Sequence, residues 1–264
     1  MRVGIVGAGP AGVASAVFLR RYNVDVVVFE KERVGGLLYN AYLVENFPVF
    51  KPLPGKEICH ILKERLINSG AILSRDEVIK VKGRMVFTRD ESFTFDYVIV
   101  ASGTLPKRIP DFEVSERVAY EFSKLPDFEK LAIYGAGDIA FDGALNALIK
   151  NKEVHVFNRS NRIRAVPLLV KRTEKFAKFF YHENCPIFKV KAEIDGVKLF
   201  TKCGTYLFNA LLICIGRIPN VSFIEKSENT FVVGDARGGF RQTSIAMGSA
   251  VEAAMEILKR EGKV

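Results

Sequence analysis

Val3-Gly4-Ile5-Val6-Gly7-Ala8-Gly9-Pro10-Ala11-Gly12 lies at the start of the chain, and Leu131-Ala132-Ile133-Tyr134-Gly135-Ala136-Gly137-Asp138-Ile139-Ala140 repeats its pattern near the middle. Each copy is an apolar run, a glycine-rich turn and an alanine-rich stretch. A second β-branched run follows each, Val24 to Phe29 and Val154 to Phe157. The spacing predicts strand, tight turn, helix and strand, twice. Such a turn lets bare backbone approach a pyrophosphate, whose charge is stabilised by the free N–H groups and dipole of the helix that follows. One motif of this kind is weak evidence, but two in the required context imply two bound dinucleotides.

The likeness extends outward. Leu53-Pro54 opens a helical stretch to about Asn68, and Val166-Pro167 opens another with Leu169, Val170 and Phe176. Short alternating strands come next in both copies, with turns near Asp90-Glu91 in the first and at Asp195-Gly196 and Cys203-Gly204 in the second. Phe95 to Pro106 then lies over Phe208 to Pro219, each a buried strand ending in Gly and Pro, so that Ala101-Ser102-Gly103 matches Cys214-Ile215-Gly216. The glycine motifs are 128 residues apart, whereas Pro54 and Pro167, and Gly103 and Gly216, are 113 apart. The first copy therefore holds 15 extra residues between Glu30 and Pro54. The fold class expected is α/β, with two Rossmann-like domains, each a parallel sheet carrying a small antiparallel meander.

The end of the second strand separates the two sites. Glu30, followed by Lys31, can accept hydrogen bonds from an adenosine ribose diol and would repel a 2′-phosphate, which suits FAD or NAD. The matching stretch Asn158-Arg159-Ser160-Asn161-Arg162-Ile163-Arg164 has no acid and three arginines, whose forked donors match a phosphate dianion. NADPH is expected there, with NADH as the other nicotinamide. A flavin stays in its protein, so the copy with extra covering structure should hold it. Gly35-Gly36-Leu37 permits close approach, and Tyr39, Glu45 and Asn46 offer polar contacts. Near the C-terminus, Gly234-Asp235 ends a short strand, and Arg241-Gln242-Thr243 leads into a helix to about Leu258 whose N-terminus would favour the anion of a reduced flavin.

Composition narrows the function classes. The 264 residues carry a net charge of +9, are 48% hydrophobic and contain no low-complexity tract, which suits a folded chain of two domains. Cys59, Cys185, Cys203 and Cys214 have no metal-site spacing and read as small buried hydrophobes; no metal is expected. His60, His155 and His182 are scattered, so no side-chain nucleophile or base is indicated. Between Lys150 and Lys191 eleven Lys or Arg face three Glu, a segment that prefers anions. A phosphorylated cofactor or an acidic protein explains this more simply than nucleic acid. No stretch is long and apolar enough to span a membrane, and a strand beginning at Val3 leaves no room for a signal peptide; a cytoplasmic protein is expected.

These residues resemble the low-molecular-weight thioredoxin reductases and their relatives, over nearly the whole chain. The specific marks are Gly7-x-Gly9-x-x-Gly12 with Glu30, Gly35-Gly36 followed by Val44-Glu45-Asn46-Phe47-Pro48, Ala101-Ser102-Gly103, Gly135-x-Gly137-x-x-Ala140, and Gly234-Asp235 with Arg241-Gln242. The resemblance implies an FAD domain of residues 1–112 and 218–264, with an NAD(P)H domain of residues 113–217 inserted in it, and a homodimer. Of the three arginines usual around the 2′-phosphate, two remain, in Asn158-Arg159-Ser160 and Arg164. The family's C-x-x-C dithiol is missing: Val118-Ala119-Tyr120-Glu121-Phe122-Ser123-Lys124 stands in its place without sulfur. Thioredoxin reduction by the usual route is therefore disfavoured. The expected activity is hydride transfer from NAD(P)H to flavin N5, then electron transfer directly to an acceptor. Ferredoxin, flavodoxin, quinone, ferric chelates, oxygen or an unusual disulfide stay open as acceptors. Ferredoxin–NADP reductases of this type also lack the dithiol, although their usual C-terminal extension has little room after Leu258. A flavin-binding regulator, or a reductase homologue without turnover, is the alternative.

Overall fold

Val3, Ile5, Val26 and Val28 are β-branched and almost fully buried, and the runs that contain them pair in parallel with Val3 opposite Val26 and Ile5 opposite Val28. Near-continuous apolar strands of this kind belong to parallel sheets covered on both faces. The computed structural model describes residues 1–264 and divides them into two compact units: residues 1–39, 44–105 and 218–264, and residues 40–43 and 106–217.

In the first unit a five-stranded parallel sheet has the order Thr230–Val232, Tyr97–Val100, Arg2–Val6, Asp25–Phe29, Ile72–Ser74. Helices α1 (Pro10–Arg20) and α2 (Gly55–Asn68) pack together on one face. The other face carries the strands Lys80–Lys82, Met85–Phe87 and Ser92–Thr94, joined by Ile224–Glu225. Phe29, Val81, Val86, Phe95 and Val98 fill the space between the two sheets.

The second unit repeats the plan with the order Phe179–His182, Glu153–Phe157, Lys130–Tyr134, Ala210–Ile213, Val118–Ala119. Helix α3 (Asp138–Leu148) buries Ala140, Phe141, Ala144 and Leu148 against one face, with the short α4 (Pro167–Thr173) beside it. A meander of Ile187–Glu193, Gly196–Thr201 and Gly204–Phe208 covers the other. The edge strand comes from opposite directions in the two copies. In the first unit it follows the closing strand; in the second it precedes the opening one, because the chain leaves that unit directly after Ala210–Ile213. The first unit's last helix, α5 (Thr243–Arg260), packs against α1.

The boundaries differ from those read in the sequence. Residues 106–112 join the second unit because Phe112 is buried with Tyr134 and Cys185, and the Ile109 N–H donates to the Tyr120 hydroxyl at 2.7 Å. Residues 40–43, part of the 15-residue excess, also belong there. Asn40 Oδ1 accepts the Ser123 N–H at 2.9 Å, the Asn40 carbonyl accepts Asn146 Nδ2 at 2.9 Å, and Asp142 Oδ1 accepts the Tyr42 N–H at 3.2 Å.

Two readings of single residues are corrected. Cys185 and Cys203 are not separate buried thiols: the hairpin brings their Cα atoms to 5.6 Å and they form a disulfide, with Cys185 buried and Cys203 exposed. His155 and His182 are scattered in sequence yet adjacent in space, since Glu153–Phe157 and Phe179–His182 are neighbouring strands. Their rings meet at 2.9 Å, and Glu153 lies 2.9 Å from the far nitrogen of His155. Burial holds both imidazoles below their ordinary pKa, so they serve as neutral aromatic filler beside Phe157 and Phe208.

Burial, opposed by the Tyr42 N–H and reinforced by the Asp138 charge, pushes Asp142 up to about 6. A carboxyl with a raised native pKa holds protons that the unfolded chain has lost, so it destabilises the fold above pH 6 and this penalty disappears as pH falls toward 4. Asp142→Asn keeps an oxygen for Tyr42 and should stabilise the protein by about 1–2 kcal/mol at pH 7.5. Denaturant titrations across the pH range should find that gain shrinking to zero near pH 4; a gain independent of pH would contradict the assignment.

Candidate functional site

Both glycine turns are built by close approach. Gly7 has φ +99° and sits against the Ala101 carbonyl, where a Cβ would overlap oxygen, while its own N–H donates to the Phe29 carbonyl at 2.8 Å. Gly12 is pressed onto the Gly7 carbonyl, so α1 can begin only this near to the turn if position 12 has no side chain. Gly9, the N-cap of α1, is the opposite case: nothing lies within 4 Å of its Cβ position. Pro10 follows at the first helical position, where its missing donor costs nothing, and the Ala11 and Gly12 N–H groups have no partner within the helix. Open space above Gly9, ringed by unused donors, is the cradle a diphosphate needs.

Glu30, Gly35, Gly36, Ala101 and Gly234 touch this turn, and other predicted residues of the first site are fixed by bonds of their own. Glu30 Oε2 accepts the Ala8 N–H at 2.9 Å, and Oε1 accepts the Glu32 N–H at 2.8 Å, which fixes the carboxylate at the strand end. The Gly35 N–H donates to the Ala8 carbonyl at 2.8 Å, Gly35 has φ +96°, and a Cβ there would strike the Cys59 sulfur. A Cβ on Gly36 would stand 3.6 Å from the Gly9 Cα, and Leu37 continues into a short turn of helix. Ser102 Oγ donates to the Asn220 carbonyl at 2.6 Å, and Gly103, at φ +64°, has open space beside it. Gly234, at φ +62°, faces Ala11, with Asp235 next in a 3-10 turn. Asn46 Nδ2 donates to Gln242 Oε1 at 2.6 Å, joining the excess segment to the residues Arg241, Gln242 and Thr243 that lead into α5. Lys31 is set apart: its ammonium is paired with Glu77 at 2.8 Å on the surface.

In the second unit Gly135, at φ +127°, sits on the Cys214 carbonyl, Gly137 has nothing within 4 Å of its Cβ position, and Ala140 is fully buried. Asp138 Oδ1 accepts the Val166 N–H at 2.8 Å, and the Arg164 N–H donates to the Ala136 carbonyl at 2.8 Å. The loop that follows Glu153–Phe157 is thus folded back onto the glycine turn. Ile139, Ile215 and Gly216, the last at φ +117°, are at least partly exposed.

Asn158, at the place of Glu30, is 5% exposed and does other work. Its Nδ2 donates to the Arg162 carbonyl at 3.1 Å and lies 2.9 Å from the Tyr181 hydroxyl, and its Oδ1 accepts the Ser160 N–H at 3.3 Å. It shapes the loop rather than offering itself to a ligand. Arg159, Arg162 and Arg164 are exposed and make no side-chain hydrogen bond or ion pair. Three uncommitted guanidinium groups on a loop anchored to a glycine turn suit a phosphate dianion.

Where a dithiol might stand, the residues are of another kind. Tyr120 Oη donates to Glu113 Oε1 at 2.8 Å, Arg217 Nη2 is 3.6 Å from Glu121 Oε1, and Ser123 Oγ is buried with no partner. Neither free thiol is nucleophilic. Burial pushes Cys59 up to about 11, against a weaker opposing effect of Arg33, and Cys214 up to about 12, against Arg217. Since the thiolate is the reactive form, both are inert near neutral pH. No helix is long and apolar enough to cross a membrane.

Comparison with known proteins agrees with this geometry. Residues 1–243 match the model of the pyridine nucleotide-disulphide oxidoreductases. The chain is 26% identical over 270 residues to a thioredoxin reductase of Chlamydia trachomatis, covering 91% of this chain and 86% of that protein. It is 23% identical over 256 residues to one of Mycoplasma genitalium, covering 88% and 81%. The crystal structure of Lactococcus lactis thioredoxin reductase superposes with a TM-score of 0.86 at 22% identity, over 100% of this chain and 99% of that one. The chain belongs to the pyridine nucleotide-disulphide oxidoreductase family. It is an FAD-dependent NAD(P)H oxidoreductase of the thioredoxin-reductase-like type, and FAD and NADPH are its cofactors.

The two glycines of the first turn give contrasting expectations. Gly9→Ala fits the protein, so the fold should keep its melting temperature without flavin while FAD retention falls at least about tenfold, equivalent to about 1.4 kcal/mol. Gly12→Ala must move the turn and should lower the melting temperature itself. Thermal melts of flavin-free protein and the ratio of flavin to protein absorbance check both, and equal behaviour of the two variants would contradict the cradle.

Proposed function

We propose that the first unit holds FAD on Gly7, Gly9, Pro10, Ala11, Gly12, Glu30, Gly35, Gly36, Ala101, Ser102, Gly103, Gly234 and Asp235, that the second takes NADPH on Gly135, Gly137, Asp138, Ala140, Arg159 and Arg164, and that electrons leave for an acceptor without passing through a protein dithiol. The observation that carries this reading is the placement of the cysteines: Cys59 buried beneath Gly35, Cys214 packed against the α3 core, Cys185 joined to Cys203 in the second unit, and Tyr120 to Ser123 where the resemblance puts C-x-x-C. When bound, FAD would supply the hydride-accepting and electron-donating chemistry. The chain positions and stabilises. Glu30 would hold the adenosine ribose, the α1 N-terminus would stabilise the diphosphate, and the α5 N-terminus would favour the negative charge of a reduced flavin by about 0.3–1 kcal/mol. Arg159 and Arg164 clasp the 2′-phosphate. No side chain needs to move a proton.

Among acceptors, an acidic electron-carrier protein of the ferredoxin or flavodoxin kind suits the surplus of Lys and Arg between Lys150 and Lys191. A relative in Clostridium pasteurianum, 29% identical over 153 residues, is described as a 34.2 kDa protein in a rubredoxin operon, which also points toward a small carrier. A cytoplasmic location, where NADPH is supplied, goes with this reading.

Arg159→Ala should raise KM for NADPH about tenfold and change KM for NADH less than twofold; equal losses for both would refute the 2′-phosphate assignment. Turnover with an acidic carrier should fall about tenfold on raising ionic strength from low salt to about 0.3 M, because the attraction is screened. A carrier rate insensitive to salt, with quinone reduced faster at every ionic strength, would overturn the choice of acceptor.

A further inference from the structure

The disulfide is the one redox group that this function leaves unused, and it stands behind the arginine loop. Cys185 lies between the strands Phe179–His182 and Ile187–Glu193, and Cys203 lies in the tight turn between Gly196–Thr201 and Gly204–Phe208. The Cys185 N–H donates to the Asn158 carbonyl at 2.7 Å, the Asn184 N–H donates to the Ser160 carbonyl at 3.2 Å, and the Asn158 N–H donates to the His182 carbonyl at 2.9 Å. The backbone flanking Arg159, through the Asn158 N–H and carbonyl before it and the Ser160 carbonyl after it, is thus fastened to residues 182–185. That segment includes Asn184 in a left-handed conformation, φ +51°. Asparagine tolerates this conformation better than other side chains do, and here it turns the chain from the strand Phe179–His182 toward Cys185. Besides its bonds to Asn158 and Ser160, the segment is tied to the meander by the Lys202 N–H to Pro186 carbonyl hydrogen bond at 3.1 Å and by the covalent link from Cys185 to Cys203.

We propose that the Cys185–Cys203 disulfide is a redox-sensitive positioning element for the 2′-phosphate loop, so that its reduction weakens the binding of 2′-phosphorylated nucleotides. The inference rests on the reading of Arg159 and Arg164 as 2′-phosphate ligands. Cys203 is an exposed residue and Cys185 is buried, so Cys203 is the cysteine a dithiol would reach first. A small dithiol supplies the electrons. Its first thiolate attacks Cys203 Sγ, the disulfide bond breaks, and Cys185 leaves with the electron pair and takes up a proton. The second thiol then displaces Cys203, which is also protonated, and the dithiol ends as its own disulfide. Two electrons and two protons pass to the protein. Once the link is open, residues 183–186 lose their covalent tie to the turn and keep the Lys202 N–H to Pro186 carbonyl hydrogen bond, so the segment whose backbone bonds frame Arg159 is itself held less firmly. In compartments that supply NADPH, lasting structural disulfides are rare, and those present are usually catalytic or redox-sensing.

The test uses FAD-loaded protein, oxidised or treated with dithiothreitol and then desalted without oxygen, with adenosine 2′,5′-bisphosphate and 5′-AMP as calorimetric probes, neither of which can reduce flavin. Thiol titration in denaturant should count two free thiols before treatment and four after. The Kd for the bisphosphate should rise about three- to tenfold on reduction and return on reoxidation, with that for 5′-AMP changed less than twofold; Cys203→Ser should match the reduced protein. Four thiols in the untreated protein, an unchanged bisphosphate Kd, or equal weakening of both probes would overturn the proposal. Arg159→Ala separates it from the reading beneath it. If that variant loses bisphosphate affinity and reduction does not matter, only the clamp is wrong; if neither has an effect, the 2′-phosphate site itself is wrong.

Discussion

The architecture depends on how near a helix can start to the end of a parallel strand. At Gly7 and Gly135 the backbone turns through a left-handed conformation with a neighbouring carbonyl where a side chain would be, and Gly12 lets α1 rest on that turn. The free N–H groups of the helix are thereby held at a fixed point beside the sheet, with open space at Gly9 and Gly137 in front of them. Everything chemical about the protein is arranged around these two points. A side chain at the close-packed positions would shift the helix, and one at the open positions would occupy the ligand's place.

The two copies then diverge by side-chain chemistry on a common frame. At the end of the second strand, Glu30 turns its carboxylate onto the glycine turn, while Asn158 turns inward to organise a loop that presents arginines outward. Hydrogen bonding of a buried amide thus replaces a carboxylate on the glycine turn with a loop that leaves three arginines exposed. The free thiols complete the contrast with a dithiol enzyme: Cys59 is packed beneath Gly35, and the partly buried Cys214 packs against the α3 core, so both side chains serve packing.

The duplicated glycine motifs, the parallel strands and the long helices were legible in the sequence because each depends on local patterns: buried β-branched runs, glycine where a Cβ cannot fit, and apolar residues at helical spacing. The candidate residues of the first site were named from the same local patterns. What was hidden depends on long-range pairing. The Cys185–Cys203 link needs the register of a meander, with Ile187 opposite Thr201, and nothing in an 18-residue spacing announces it. The His155–His182 contact needs two parallel strands to be neighbours. The attachment of Asn40 and Tyr42 to Ser123, Asn146 and Asp142 comes from single hydrogen bonds between segments about 80 to 106 residues apart, which periodicity cannot encode. Lys31, which adjoins a genuine candidate in sequence, is drawn off by Glu77.

The central claim is that hydride enters through a nucleotide in one unit and electrons leave from a flavin in the other with no cysteine in the path. Its most direct measurement is rapid anaerobic mixing with NADPH of FAD-loaded protein in which exposed thiols have been reduced and blocked with iodoacetamide, followed by addition of oxidised acceptor. The account predicts that the visible flavin band bleaches at a rate close to that of untreated protein at saturating NADPH and recovers when the acceptor is added. A flavin that bleaches but cannot be reoxidised once the thiols are blocked, although the untreated protein can, would contradict it.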